Sequence, residues 1–292
     1  MTRDVWDHWL RRRRDGGSAA RRQTMLDELA PVRDRVLDGA ALVEGDVLVD
    51  VGCGDGLIGL AALERVGDTG RVVFADISQA LLQASRAGAA GLGAEHRASF
   101  VQAAAEDLAP LAERSADAIT TRSVLIYSAD KARALGEFHR VLRPGGRISL
   151  WEPINAHGFP EPGDRLLGFD LGPVAGIGAK VKRAYAERQP PETSTMLDFD
   201  ERDLLAWAGA AGFADLRLVL EVEDRSPLPA GDWDAFLDSS PNPLAPTWRE
   251  AIAESLTATE ADAFLAHLRP LAEAGEGRWR YAAAHLTGRR AG

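Results

Sequence analysis

The run Asp50-Val51-Gly52-Cys53-Gly54-Asp55-Gly56 places three glycines and two carboxylates within seven residues. Glycine lets a chain turn tightly and lets its backbone approach a ligand with no Cβ in the way. Such a turn alone would serve NAD, FAD or S-adenosylmethionine. In the dinucleotide fingerprint G-x-G-x-x-G counted from Gly52, the third glycine falls on Leu57, whereas this chain has Gly56. Asp50 and Asp55 also bracket the turn. Paired carboxylates repel a diphosphate but suit the ammonium and sulfonium groups of S-adenosylmethionine. Asp55 has a second reading, as a helix N-cap. Asp76, 20 residues after Gly56, ends the next apolar run, where an acid accepts hydrogen bonds from both ribose hydroxyls.

The elements that must position these groups follow from periodicity. VLVDVGC (47–53) is a short β-branched run, and the glycine-rich DGLIGLAAL after it starts a helix. RVVFADI (71–77) is a second strand, followed by a helix with Ser78 as its N-cap. Further strands are expected at 99–103, 117–122 and 147–153, with a helix at 130–142 ended by Pro144-Gly145-Gly146. Strands alternating with helices at this spacing indicate βαβ units and a parallel sheet. The turn at 50–56 then lies at the carboxyl end of the first strand, where open α/β sheets bind ligands.

Outside this block, residues 1–45 read as a helical N-terminal extension or lid with an interruption at Pro31, and 46–292 as the main domain. Two substrate-cap insertions are expected within it, a Gly- and Pro-rich stretch at about 154–199 and a helical one at about 229–276. Between and after them, 200–213 returns to helix, 216–223 to strand and 278–288 to a last strand. Trp207, Trp233, Phe236, Leu237 and Trp248 are candidates to line a substrate pocket, with plain core as the alternative.

The formal net charge of −10 argues against a nucleic-acid partner, whose phosphates a binding protein must neutralise. Arg11 to Arg14 with Arg21 and Arg22 form a short basic cluster, read as a solvated helix face or as a lid that meets an anionic group. No apolar run approaches the roughly 20 residues of a membrane span, and the N-terminal arginines precede no apolar stretch. The expectation is a cytoplasmic protein without a membrane partner, monomeric or homodimeric. Cys53 is the only cysteine and the six histidines are scattered, so no disulfide and no metal site are expected.

The motifs VLVDVGCGDG (47–56), FADIS (74–78), AAAEDL (103–108), SADAITTRSVL (115–125) and EFHRVLRPGGRISLWEP (137–153) together resemble the class I S-adenosylmethionine-dependent methyltransferases, in particular the ubiquinone/menaquinone-methyltransferase-like group. The resemblance covers about 45–155. It implies a doubly wound, mostly parallel seven-stranded α/β sheet of Rossmann-like form, S-adenosyl-L-methionine as cofactor and S-adenosyl-L-homocysteine as product. It also implies that Asp50, Gly52 and Gly54, with Cys53 between the glycines, hold the methionine end. Asp76 would take the ribose and Ile77 the adenine face, and Thr121 and Arg122 would lie under the methionine moiety. The family often has G-D-A-E after its third strand, its Asp bonding the adenine amino group. Here Ala103-Ala104-Ala105-Glu106 stands instead, which leaves the Ala105 backbone for that edge, with Glu106 or Asp107 as a substitute for the Asp only if the loop is displaced.

Methyl transfer from a sulfonium is an in-line displacement that needs chiefly alignment and a dry site, and a base only if the acceptor keeps its proton. Candidates near the carboxyl edge are Tyr127, Glu152, Asn155 and His157, with Tyr127 and His157 foremost. The expected acceptor is a small molecule of specialised metabolism, with oxygen or nitrogen ahead of carbon as the atom methylated. The alternatives are a peptide or protein methyltransferase, a cofactor-binding protein without methyl transfer, and a nicotinamide-dependent oxidoreductase. Arsenite methylation, which needs several thiolates, is excluded by the lone Cys53.

Overall fold

The computed structural model describes residues 4–226 and 232–292. In chain order it opens with helix α1 (Val5–His8), which widens into a π-helical turn at Trp9–Arg13, and α2 (Ala19–Ala40). Strand β1 (Val47–Val51), α3 (Gly59–Arg65), β2 (Arg71–Asp76), α4 (Gln79–Gly91), β3 (Ala98–Gln102), β4 (Ala116–Arg122), α5 (Lys131–Val141) and β5 (Leu142–Pro153) follow. Next come a small hairpin, β6 (Arg165–Leu166) and β7 (Phe169–Asp170), then α6 (Ala175–Arg188), α7 (Glu201–Ala210) and β8 (Phe213–Arg225). Helices α8 (Trp233–Leu237), α9 (Trp248–Ser255) and α10 (Ala258–Ala274) precede β9 (Trp279–Arg290). The beginning of the expected 229–276 insertion, residues 229–231, lies outside the described residues.

The chain gathers into two compact units. One contains Leu29–Ile154, Phe199–Glu221 and Ala283–Gly292; the other contains Met1–Glu28, Asn155–Asp198 and Val222–Ala282. The first holds the seven-stranded sheet, ordered β3-β2-β1-β4-β5-β9-β8. β1 pairs in parallel with β2 and β4, β2 with β3, and β4 with β5, whereas β9 runs antiparallel to β5. After β3 the chain returns to the other side of β1, so the order reverses between β1 and β4. Side chains beyond the carboxyl ends of those two strands meet at this reversal, the place where doubly wound sheets bind ligands. The mostly parallel, doubly wound sheet matches the expected fold class.

Both faces of the central strands are covered. Leu48, Val49, Val51, Phe74, Ile119 and Ile148 are fully buried, which is why these strands read as continuous apolar runs and not as alternating ones.

Several local expectations needed correction. Pro31 does not interrupt α2, which runs through it. Proline lacks the N–H for that turn, but Val36, Leu37 and Ala40 beyond it are buried, and their packing outweighs one lost bond. Helix α5 ends at Val141, before Pro144-Gly145-Gly146 is reached. β5 already begins at Leu142, and the pairing with β4 jumps from Ala116–Leu142 to Ala118–Arg147, so Pro144-Gly145-Gly146 with Arg143 form an irregularity inside the strand, four residues opposite Asp117 alone. The broken stretch at 154–199 contains a 14-residue helix, α6. Its glycines looked like breakers, but a Cβ on Gly178 would sit 2.7 Å from Leu171 Cδ1. Close packing, not a turn, explains that residue.

The second unit has its own aromatic core. Phe169, Phe236, Leu237, Trp248, Phe264 and Leu268 are buried together, with Trp233 partly buried against them. The pocket-lining reading of Phe236, Leu237 and Trp248 therefore gives way to the core reading. Trp207 belongs to the sheet unit, 6.4 Å from the Phe199 ring. The arginines are likewise engaged internally: Arg11 with Asp7, Arg13 with Glu250 and Arg22 with Asp15.

Candidate cofactor site

The glycine turn is held between carboxylates from two strands, Asp50 of β1 and Asp76 of β2. Gly52, Gly54 and Gly56 have φ of 65°, 57° and 100°, left-handed conformations that a side chain disfavours. At Gly52 the second constraint is space: a Cβ there would lie 2.3 Å from Val124 Cγ2. The loop after β4 thus packs directly on the turn after β1.

Asp50 is buried. Its Oδ2 accepts from the Gly59 backbone N–H at 2.9 Å and its Oδ1 from the Thr120 hydroxyl at 3.0 Å. Burial pushes its carboxyl up to about 7, against the pull of those two hydrogen bonds, and the nearby Asp76 charge adds to the rise. Asp50 is consequently a brace between β1, β4 and the start of α3, with both oxygens turned to protein donors. Asp55 is exposed and does not cap α3, whose N-cap position is Ile58 without a side-chain bond. Asp50 supplies that acceptor instead, from the strand before the turn.

Asp76 is also buried, at the end of β2. Its Oδ2 accepts from Gly54 N–H at 2.9 Å and its Oδ1 from Ser78 N–H at 2.8 Å. The Ser78 hydroxyl in turn caps α4 through Leu81 N–H, as expected. Next to it, Ile77 is 46% exposed. A large apolar side chain left open at a strand's carboxyl end fits packing against a flat ligand face. Cys53 is buried, its Sγ 3.9 Å from Ser85 Oγ, and burial raises its thiol well above the ordinary range. Only its backbone is suited to a ligand. Ser85 Oγ donates to the Gly54 carbonyl at 2.9 Å, a further tie on the turn.

After β3, the Ala103 N–H donates to the Asp76 carbonyl and Ala104 bridges Asp107. Ala105 is buried and Glu106 partly exposed in that small turn. On β4, Thr121 is fully buried and donates to Glu152 Oε1 at 3.1 Å, while Arg122 Nη1 reaches Ser123 Oγ at 3.3 Å. Thr121 therefore turns its hydroxyl into the sheet. Tyr127 ends the short helical turn Leu125–Tyr127.

The structure brings Asp50, Gly52, Cys53, Gly54, Asp76, Ile77 and Thr121 into one neighbourhood at the sheet's carboxyl edge. His157, at the end of the 3-10 turn Asn155–His157, belongs to the other unit. Glu152 is unsuited to act as a base. It is buried, and its oxygens accept the N–H groups of Val124, Leu125 and Ile126 besides the Thr121 hydroxyl. Burial raises its carboxyl and these four donors oppose the rise. Thr120 and Ser85 brace the site through Asp50 and the Gly54 carbonyl without lying in any of the sequence motifs' acidic or glycine positions. Alternation along β4 could have separated Thr120 from Thr121, which point to opposite faces. Among the described residues no cluster of His, Cys, Asp and Glu could hold a metal, and no helix is long and apolar enough to cross a membrane.

Residues 49–150 match the methyltransferase domain family. The ubiquinone/menaquinone biosynthesis C-methyltransferase UbiE of Enterobacter sp. (strain 638) is 36% identical over 116 residues, 40% of this chain and 46% of that protein. The Psychromonas ingrahamii counterpart is 34% identical over 126 residues, covering 41% and 50%. The chain thus spans about half the length of the curated relatives it matches. Among solved structures, a methyltransferase-like protein of Bacillus halodurans superposes with a TM-score of 0.55 at 17% identity, covering 90% of this chain and all of that one. Geranyl diphosphate C-methyltransferase from Streptomyces coelicolor gives 0.52 at 18% identity, covering 89% and 76%. Over residues 49–150 the chain carries a methyltransferase domain of the class I S-adenosylmethionine-dependent superfamily, and within it resembles the ubiquinone/menaquinone-methyltransferase group.

Proposed function

We propose that this protein transfers a methyl group from S-adenosylmethionine to a small-molecule acceptor. The observation that carries the reading is the coincidence of the matched domain with a glycine turn of left-handed backbone, tied to Asp76 through Gly54 and flanked by the open side chain of Ile77. When bound, S-adenosylmethionine supplies a methyl carbon activated by its sulfonium. The residues proposed to hold it are the backbone of Gly52, Cys53 and Gly54, Asp76 toward the ribose, Ile77 against the adenine, and the Ala105 backbone and Glu106 at the ring edge. Asp50 and Thr121 act behind them, as braces of the turn and of the loop after β4, and Arg122 borders that loop.

Alignment and exclusion of water are the chief contributions required of the protein. Tyr127 and His157 are the groups proposed to receive or orient an acceptor proton. The segments 154–199 and 229–276 are proposed to supply acceptor specificity. Oxygen and nitrogen acceptors follow from those side chains, whereas the curated relatives are named C-methyltransferases, which weighs toward carbon. A net charge of −10 supports an acceptor other than nucleic acid, and we place the protein in the cytoplasm as a monomer or homodimer.

Calorimetric titration with S-adenosylhomocysteine and with NAD tests the assignment. Binding of the first and not the second is expected, and Gly54→Val and Asp76→Ala should each weaken it by at least roughly tenfold, about 1.4 kcal/mol. Unchanged affinity in both variants defeats the site. With an acceptor in hand, wild-type turnover by His157→Ala removes His157 as a base.

A further inference from the structure

We infer that Glu152 is a positioning residue for the cofactor turn, acting through the loop after β4; the inference rests on the cofactor reading above. Glu152 lies near the end of β5 and is wholly buried. Its Oε1 accepts from Thr121 Oγ1, Val124 N and Leu125 N, each at 3.1 Å. Its Oε2 accepts from Val124 N at 3.1 Å and Ile126 N at 3.2 Å. Three consecutive backbone N–H groups therefore converge on one carboxylate, an arrangement that an uncharged amide cannot reproduce, because half of it is a donor. The loop they belong to leaves β4 through Ser123, whose φ is 55° and whose N–H is tied to the Trp151 carbonyl at 2.8 Å.

What this loop touches gives the carboxylate its consequence. Val124, bonded to both Glu152 oxygens, occupies the space beside Gly52 where a Cβ would fit at only 2.3 Å from Cγ2. Glu152 thus sets the position of Val124, and Val124 forms one wall of the Gly52 turn across the reversal in strand order. The Tyr127 N–H bonds the Val124 carbonyl, so the same carboxylate places the backbone of a proposed acceptor-side residue. If the loop holds this arrangement for only a fraction of the time, apparent cofactor affinity falls in proportion to that fraction.

The test compares wild type, Glu152→Gln and Val124→Ala by calorimetric titration with S-adenosylhomocysteine and by amide hydrogen exchange. For Glu152→Gln, exchange should rise over 123–127 while β1 and β2 amides keep wild-type protection, and affinity should drop roughly tenfold. Val124→Ala should lower affinity with the exchange of 125 and 126 unchanged, since it removes the wall and leaves the carboxylate's bonds. If Glu152→Gln does not fold, Thr121→Val, which removes only the hydroxyl donor, should show the same confined pattern at about a threefold loss. Exchange rising evenly over the whole sheet, or wild-type affinity with a loosened loop, overturns the inference. Failure of the wild type to bind S-adenosylhomocysteine would sink the cofactor reading itself, and the inference with it. Binding by wild type and Glu152→Gln alike sinks only the positioning role.

Discussion

The buried acids of the sheet unit and the buried donors of the other unit are bonded differently. In the sheet unit the buried acids Asp50, Asp76 and Glu152 each accept hydrogen bonds from backbone N–H groups at a chain reversal, and Asp50 and Glu152 each accept one from a threonine hydroxyl as well. In the other unit, Arg13 and Arg21 each bury an Nε, and Tyr185 its hydroxyl, with no hydrogen-bond partner among the described residues, as do Arg97 Nε and Ser128 Oγ in the sheet unit. Burial pushes that phenol well above its ordinary range, with the Glu250 charge adding to it. A buried acceptor that gathers backbone donors specifies a loop, because each bond fixes one residue of the turn. A buried donor without a partner specifies nothing and costs free energy. The second unit tolerates that cost on the strength of its aromatic packing: Phe236 lies 5.1 Å from Trp248, 5.4 Å from Trp233 and 5.6 Å from Phe169.

The sharpest way to break this comparison is to remove the packing. Trp248→Ala takes a side chain only 2% exposed out of the aromatic cluster, and stability should fall by about 3–5 kcal/mol. Chemical denaturation measures it; a loss below about 1 kcal/mol would mean that the cluster does not hold its unit together.

A satisfied polar pair in the sheet unit gives a smaller, pH-dependent effect. His285 Nε2 lies 3.0 Å from Ser149 Oγ on neighbouring strands β9 and β5. Burial, with Arg35 nearby, depresses its imidazole to about 4. The folded state then binds the proton less tightly than the unfolded chain, so stability present above the ordinary histidine range near 6.5 is lost as pH falls from there toward 4. Denaturation midpoints over that range should decline in wild type and decline less in His285→Gln. Equal slopes would show that His285 is not the group responsible.

The smallest expected effect is the most diagnostic for the orphan donors. Tyr185→Phe deletes a buried hydroxyl without a partner, so stability should stay within about 0.5 kcal/mol or rise. A loss above about 1 kcal/mol would reveal that the hydroxyl is bonded after all.

Legibility differed between the units for the same reason. The sheet unit's strands, α4 with its Ser78 cap and the glycine turn could all be read because each is written within a dozen or so neighbouring residues. Helix α6 could not, since its glycines signal a breaker until Leu171 is seen packed against Gly178. Pro31 misled similarly: the packing that carries α2 past it comes from Val36, Leu37 and Ala40 in a sheet-unit core built from distant strands. The aromatic core of the second unit draws on Phe169, Phe236, Trp248 and Phe264, from segments no local window joins.

By itself, the sequence determined the alternation of strands and helices, the place of the turn at 50–56 and the acid at 76, because hydrophobic period and glycine chemistry act over short range. Only the tertiary structure decided where the carboxylates point. Asp50 faces Gly59 and Thr120, Thr121 faces Glu152, and Glu152 gathers the loop that walls Gly52. Those partners lie on strands that become neighbours only when the sheet closes its order, and a buried charge takes whichever donors that closure brings within reach.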